Sequence, residues 1–179
     1  TYINNFDNEF LLEDIKNLSG KDLDSVDILC GGFPCQPFSV AGYRKGFDDE
    51  RGNVFFEIIR LLNELKNKPR ALLLENVKNF YTHDKGNTFK TVTELLETNG
   101  YSVYSSVLNT SEYTNIPHNR ERTFIVCFLD NKYHEMKTYF ENFCTPTYED
   151  KKSKISEFLE PEKVDENFYY REDKYMYDE

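Results

Sequence analysis

Val26-Asp27-Ile28-Leu29-Cys30-Gly31-Gly32 is a short apolar run that stops at two glycines, and Phe33-Pro34-Cys35-Gln36-Pro37-Phe38-Ser39 follows it directly. The first half suits a buried strand ended by a turn. Residues 33–52 hold two prolines, Gly42, Gly46 and Gly52, with no apolar period, so they read as a long loop. Long loops in compact domains are functional or unstructured. Working outward, Phe55, Ile58, Ile59, Leu62 and Leu65 recur at helical spacing and predict an amphipathic helix ended by Pro69. Ala71-Leu72-Leu73-Leu74 predicts a second buried strand. Phe89, Val92, Leu95 and Leu96 predict another helix, closed by Asn99-Gly100. Further strands are expected at 101–108 and 123–129, separated by a polar loop containing Pro117. Strands alternating with helices predict an α/β fold: a mainly parallel sheet with helices on both faces.

The 179 residues suit one ordinary domain, and 39% apolar with 30% charged residues is a globular composition. No stretch approaches the roughly 18 consecutive apolar residues of a membrane span. The start at Thr1 shows no basic, apolar leader, so a secretory signal is not expected. Cys30, Cys35, Cys127 and Cys144 form no C-x-x-C pair, which disfavours a zinc site or a disulfide-stapled scaffold. A reduced, cytoplasmic enzyme without a metal is the expectation. Residues 1–27 hold seven acids against two lysines, and residues 148–179 hold eleven acids against six bases. The middle is neutral, so the net charge of −10 is carried at the two ends. Bulk charge therefore disfavours nucleic acid as a partner. Arg44, Lys45, Arg51, Arg60, Lys66, Lys68 and Arg70 nevertheless cluster in sequence, either as a local basic face or as a solvated mixed surface.

An open α/β sheet binds ligands beyond the carboxyl ends of its strands. The loop after Cys30 and the Glu75-Asn76 pair after Leu74 occupy such ends. His118-Asn119-Arg120-Glu121-Arg122 precedes its strand, and reaches the same edge only if that strand runs antiparallel. A lone cysteine is usually an inert, buried small hydrophobe. Cys35 differs, because two prolines stiffen its surroundings and it opens a glycine-punctuated loop. That position suits a nucleophile presented to a substrate.

Gly32-Phe33-Pro34-Cys35-Gln36-Pro37-Phe38-Ser39, then Glu75-Asn76-Val77, then Asn119-Arg120-Glu121-Arg122 resemble the carbon-5 cytosine DNA methyltransferases, more narrowly the bacterial enzymes of restriction–modification systems. The resemblance extends to residues 46–56 and to Lys78-Asn79-Phe80, and in family order covers residues from about 13 to 128. It implies a partial Rossmann-like sheet that uses S-adenosylmethionine. In that family a thiolate, here Cys35, attacks carbon-6 of cytosine so that carbon-5 can accept the methyl group. Glu75 matches the glutamate that engages ring nitrogen-3 and the exocyclic amine, a task for a carboxylic acid able to share a proton. Arg122 matches the arginine that holds the cytosine carbonyl, with Arg120 its companion. The bland alternatives are a capping carboxylate and a surface ion pair with Glu121. Asn76 is expected to shape the loop around Pro34 and Cys35 rather than to react. The target base is flipped out of double-stranded DNA. Gln36, Ser39, Arg44 and Arg51 are expected on the loop that closes over it.

Two departures from the family stand out. His118 replaces the usual glutamine and adds a titratable group. The opening strand and glycine-rich cofactor loop are not found, which leaves Asp14 and Ile15, with Pro34 and Val54, as the cofactor side. The chain is thus expected to be a catalytic core cut at both ends, inactive in isolation. Residues 1–145 would form the catalytic domain, and 146–179 a linker and the start of the target-recognition region. Other arrangements are a split enzyme completed by a second polypeptide that carries the cofactor half, an RNA cytosine methyltransferase, and a non-catalytic nucleic-acid-binding remnant.

Overall fold

The computed structural model describes residues 14–34, 54–129 and 153–159. Four strands form one sheet: β1 (Ile28–Gly32), β2 (Ala71–Val77), β3 (Tyr101–Asn109) and β4 (Glu121–Leu129), in the order β1-β2-β4-β3. Two helices connect them, α1 (Val54–Glu64) and α2 (Asn87–Thr98). The α/β expectation holds, but the expected mainly parallel sheet does not. Only β1 and β2 run parallel, while β4 is antiparallel to both β2 and β3. The cause is the connection after Asn109. A single helical turn (Thr110–Tyr113) and a short polar loop return the chain locally, and a strand reached that way must run against its predecessor. β4 thereby inserts between β3 and β2, with Arg122 opposite Val77.

The first strand also lies two residues later than the 26–30 run suggests, because both glycines belong to it. A Cβ at Gly31 would sit 3.4 Å from Ile58 Cδ1 and from Leu74 Cδ2, so the bare backbone lets α1 lie close to the sheet.

Burial follows the pleat. Leu72, Leu74, Ile125 and Cys127 face one side, where Phe55, Ile58 and Leu62 of α1 and Val92 and Leu96 of α2 complete the core. Among the described residues both helices contribute to this one core, whereas Leu73 on the opposite face remains 42% exposed. α2 ends as its sequence predicts: Asn99 N–H donates to Leu95 O, and Gly100 takes a positive φ of 93°. Its C-terminal carbonyls receive Lys68, whose Nζ donates to Asn99 O at 2.9 Å. α2 begins less predictably, after Asp84 and Lys85 with φ of 49° and 56° and Gly86 at 88°. Two consecutive non-glycine residues in this region each cost roughly 1–2 kcal/mol.

Burial pushes the Cys127 thiol up to about 12, and burial with the nearby Cys127 pushes the Tyr101 hydroxyl up to about 12. Both groups hold their protons in the folded chain beyond the pH at which they lose them unfolded, roughly 8.5 for cysteine and 10 for tyrosine. Their contribution to stability is intact below about pH 8.5 and is lost progressively as pH rises towards 12. Urea midpoints of the complete protein should therefore fall between pH 8 and 10.5. Cys127→Val should flatten that slope, and an unchanged slope in this variant would refute the assignment.

Candidate active site

Glu75, Asn76 and Val77 close β2, and the pleat sends neighbouring side chains to opposite faces. Glu75 pairs in register with Gly32 of β1 and with Phe124 of β4, and Val77 pairs with Arg122. Glu75 and Arg122 are therefore diagonal neighbours on the face opposite the helices. Arg122 Nε donates to Glu75 Oε1 at 2.9 Å, and Arg122 Nη1 donates to Glu121 O at 2.8 Å. The antiparallel course of β4 meets the condition under which the arginine cluster reaches the strand ends. Both side chains of the pair keep partial solvent access, so a ligand can approach them.

Asn76 points the other way and is buried. Its Nδ2 donates to Phe33 O at 2.9 Å, and its Oδ1 accepts from Val77 N at 2.8 Å. Phe33 N also donates to Glu75 O. The Phe33 ring is wedged between Phe55 (centroids 5.2 Å apart) and Phe80 (5.6 Å). The chain leaving β1 is thus held by side-chain, backbone and aromatic contacts just ahead of Pro34. Asn76→Ala strands the Phe33 carbonyl and should cost about 1–3 kcal/mol. Urea unfolding of the complete protein checks this, and a loss under 0.5 kcal/mol would contradict it.

Arg120 lies just before β4 on an exposed loop. Its N–H donates to Asn109 Oδ1 at 3.0 Å, and its carbonyl accepts from Thr110 N. The ion pair to Glu75 is made by Arg122. The bland pairing of an arginine with Glu121 gives way to a lysine: Lys78 Nζ meets Glu121 Oε1 at 2.6 Å. His118 is exposed in the preceding turn, its N–H donating to Ile116 O at 2.7 Å. Asn109 Nδ2 donates to Asn119 Oδ1 at 2.6 Å and ties this turn to the end of β3.

Of the residues expected to meet the cofactor, Asp14 caps a short 3-10 turn (Ile15–Asn17), its Oδ1 accepting from Lys16 N at 3.0 Å. Ile15 and Val54 are partly buried against the core, and Pro34 is exposed after β1. Cys35, Gln36, Ser39, Arg44 and Arg51 lie outside the described residues. Among those described, no group of three or more His, Cys, Asp or Glu is placed to hold a metal ion, and no helix is long and apolar enough to cross a membrane.

Sequence reading missed one network. Arg60 was grouped with a basic cluster, yet its Nε donates to Glu57 Oε2 at 2.7 Å, its Nη1 to Glu64 Oε2 at 2.9 Å and its Nη2 to Ile15 O at 2.9 Å. The acids at three residues before and four after Arg60 were the available signal.

Residues 1–179 match the family model for C-5 cytosine-specific DNA methylases. The chain is 45% identical over 176 residues to the Type II methyltransferase M.Bsp6I of Bacillus sp. (strain RFL6), covering 97% of this chain and 53% of that protein. It is 46% identical over 161 residues to M.HaeII of Haemophilus aegyptius, covering 90% and 47%. The Dnmt2 methyltransferase of S. pombe is similar in structure, with a TM-score of 0.62 at 25% identity over 85% of this chain and 46% of that one. The methyltransferase EhMeth of Entamoeba histolytica shares the fold, with a TM-score of 0.61 at 22% identity over 96% and 51%. The chain spans about half the length of the curated relatives it matches.

Proposed function

The chain belongs to the C-5 cytosine-specific DNA methylases, and from that premise we propose that it carries the reaction centre of a DNA cytosine-5 methyltransferase of a restriction–modification system. The observation that carries this reading is the 2.9 Å pair between Glu75 and Arg122 beside the end of β1, with Asn76 holding the chain that leads into Cys35. A carboxyl and a guanidinium on one sheet face match a pyrimidine edge. The acid faces ring nitrogen-3 and the amine, while the guanidinium faces the carbonyl.

In this mechanism Cys35 adds as a thiolate to carbon-6 of a cytosine flipped out of double-stranded DNA. Glu75 donates a proton towards nitrogen-3 as negative charge develops on the ring, and Arg122 stabilises the carbonyl oxygen. Bound S-adenosylmethionine would supply the electrophilic methyl group for carbon-5, its sulfonium sulfur keeping the electron pair and leaving as a neutral thioether. A base then removes the carbon-5 proton, the nitrogen-3 proton returns to Glu75, and expulsion of the Cys35 thiolate restores the aromatic ring. Asp14, Ile15, Pro34 and Val54 form the cofactor side, and Arg120 stands at the edge of the base site. Gln36, Ser39, Arg44 and Arg51 act on the DNA backbone from their loop.

Activity is proposed of the complete protein, whether one polypeptide or a pair that divides the cofactor and base halves. Residues 1–145 provide the catalytic part and 146–179 lead towards target recognition. Ser153 N–H donates to Asn115 O, and Asn115 Nδ2 donates to Ser153 Oγ, which supports a junction at the loop before β4.

The test is covalent trapping with the complete protein, S-adenosylmethionine and duplex DNA containing 5-fluorocytosine at varied sites. Fluorine cannot leave as a proton does, so a denaturation-resistant adduct is expected on DNA. An adduct formed only on 5-fluorocytosine RNA would overturn the DNA assignment, and no adduct on either would overturn the reaction.

A further inference from the structure

We propose that Arg60 and Glu64 of α1 are positioning residues for the cofactor side, bonded to each other and holding the Asp14–Gly20 segment against the helix through one bond each. The proposal rests on the assignment of Asp14 and Ile15 to S-adenosylmethionine. Arg60 Nη2 donates to Ile15 O at 2.9 Å, so the guanidinium grips the backbone of a proposed cofactor residue. At the other end of the segment, Gly20 N–H donates to Glu64 Oε2 at 2.9 Å, the same oxygen that receives Arg60 Nη1 at 2.9 Å. Glu57 fixes the remaining edge of the guanidinium at 2.7 Å.

The fit at Gly20 is close. A Cβ there would lie 2.7 Å from Glu64 Cβ and 2.9 Å from Leu61 O, distances at which the segment or the helix must shift. Asp14 itself carries no bond to α1 in this network; its carboxylate caps the turn that Ile15 begins. Hence the segment is seated by a planar cation bridging two acids on the helix and one carbonyl on the segment. Hydrogen bonds from the Gly20 backbone and then from Arg60 hold the Glu64 carboxyl below its usual range, and hydrogen bonds to Glu57 and Glu64 raise Arg60. The charged forms therefore persist through neutral pH.

A positioning role separates from a general structural one by which kinetic constant moves. In the complete protein, Arg60→Met, Glu64→Leu and Gly20→Ala should each raise the KM for S-adenosylmethionine on the order of tenfold. The kcat at saturating cofactor and the affinity for DNA should change less than about twofold. Glu64→Gln keeps an oxygen able to accept from both Gly20 and Arg60, and should stay within about twofold of the parent. Gly20→Ala leaves every charged group in place, so its agreement with the other two would tie the effect to seating.

Asp14→Ala serves as the control for the underlying assignment. If it raises the cofactor KM while the three seating variants do not, the positioning role is overturned and the cofactor assignment survives. If Asp14→Ala and the seating variants all leave that KM unchanged, the assignment itself fails and the proposal with it. Equal losses in cofactor KM, kcat and DNA affinity, or a Glu64→Gln variant as impaired as Glu64→Leu, would also overturn it.

Discussion

Cys35→Ala, made in the complete protein, should give no covalent adduct with 5-fluorocytosine DNA and should reduce methyl transfer by more than about 10⁴-fold. Binding of unmodified duplex should stay within a few-fold. Carbon-5 of cytosine is a poor nucleophile until sulfur adds at carbon-6, and the neighbouring thiols are poor substitutes. Cys127 is buried in the core with its thiol pushed up to about 12, which keeps it protonated and inaccessible. Cys30 is exposed but sits within β1, paired with Leu73, five residues before Cys35, which resemblance assigns as nucleophile. Cys35→Ser should be almost as inactive, because a serine hydroxyl without an adjacent base is scarcely ionised at neutral pH. Labelled methyl transfer and denaturing gels measure both variants. Activity within a hundredfold of the parent would remove Cys35 from the mechanism.

The second large effect is expected at the carboxyl–guanidinium pair. Glu75→Gln preserves shape but can neither donate a proton to nitrogen-3 nor hold the charge of Arg122, and kcat should fall by roughly 10²–10⁴-fold. Arg122→Lys should be only partly tolerated. Its single ammonium cannot reproduce both the 2.9 Å contact to Glu75 and the 2.8 Å contact to the Glu121 carbonyl. Because the two side chains touch, the double variant should lose less than the product of the single losses. Single-turnover rates at saturating DNA and cofactor check this. A Glu75→Gln enzyme within threefold of the parent would dismiss the acid from the reaction.

Much of this site was legible beforehand because its residues lie at element ends, and ends carry strong local signals. Asn99-Gly100 bounded the second helix and Ala71–Leu74 announced the strand that delivers Glu75, whereas the first helix stops at Glu64, ahead of the expected end at Pro69. The direction of β4 was not legible, since an alternating strand reads alike from either end. Its antiparallel course follows from the short return between Asn109 and Glu121. Gly31 and Gly32 read as a stop signal, yet they continue β1 because α1 needs the room. Arg60 falls in a run of basic residues that reads either as a basic face or as a solvated mixed surface, whereas helical spacing joins it to Glu57 and Glu64. The left-handed pair at Asp84 and Lys85 carried no residue signal beyond the following glycine.

The alternation at the end of β2 restricts how this protein can be recombined. Glu75 meets the arginine on one face, while its neighbour Asn76 clamps the Phe33 carbonyl from the core side. A one-residue slip of β2 would exchange those duties, placing an acid among core side chains and an amide before the base. A chimera with a relative is therefore better joined in the turn around Asn67 than inside the strand. An insertion or deletion there can be absorbed by the turn, whereas one between Leu72 and Val77 would break the Glu75–Arg122 pair and the Asn76 clamp together.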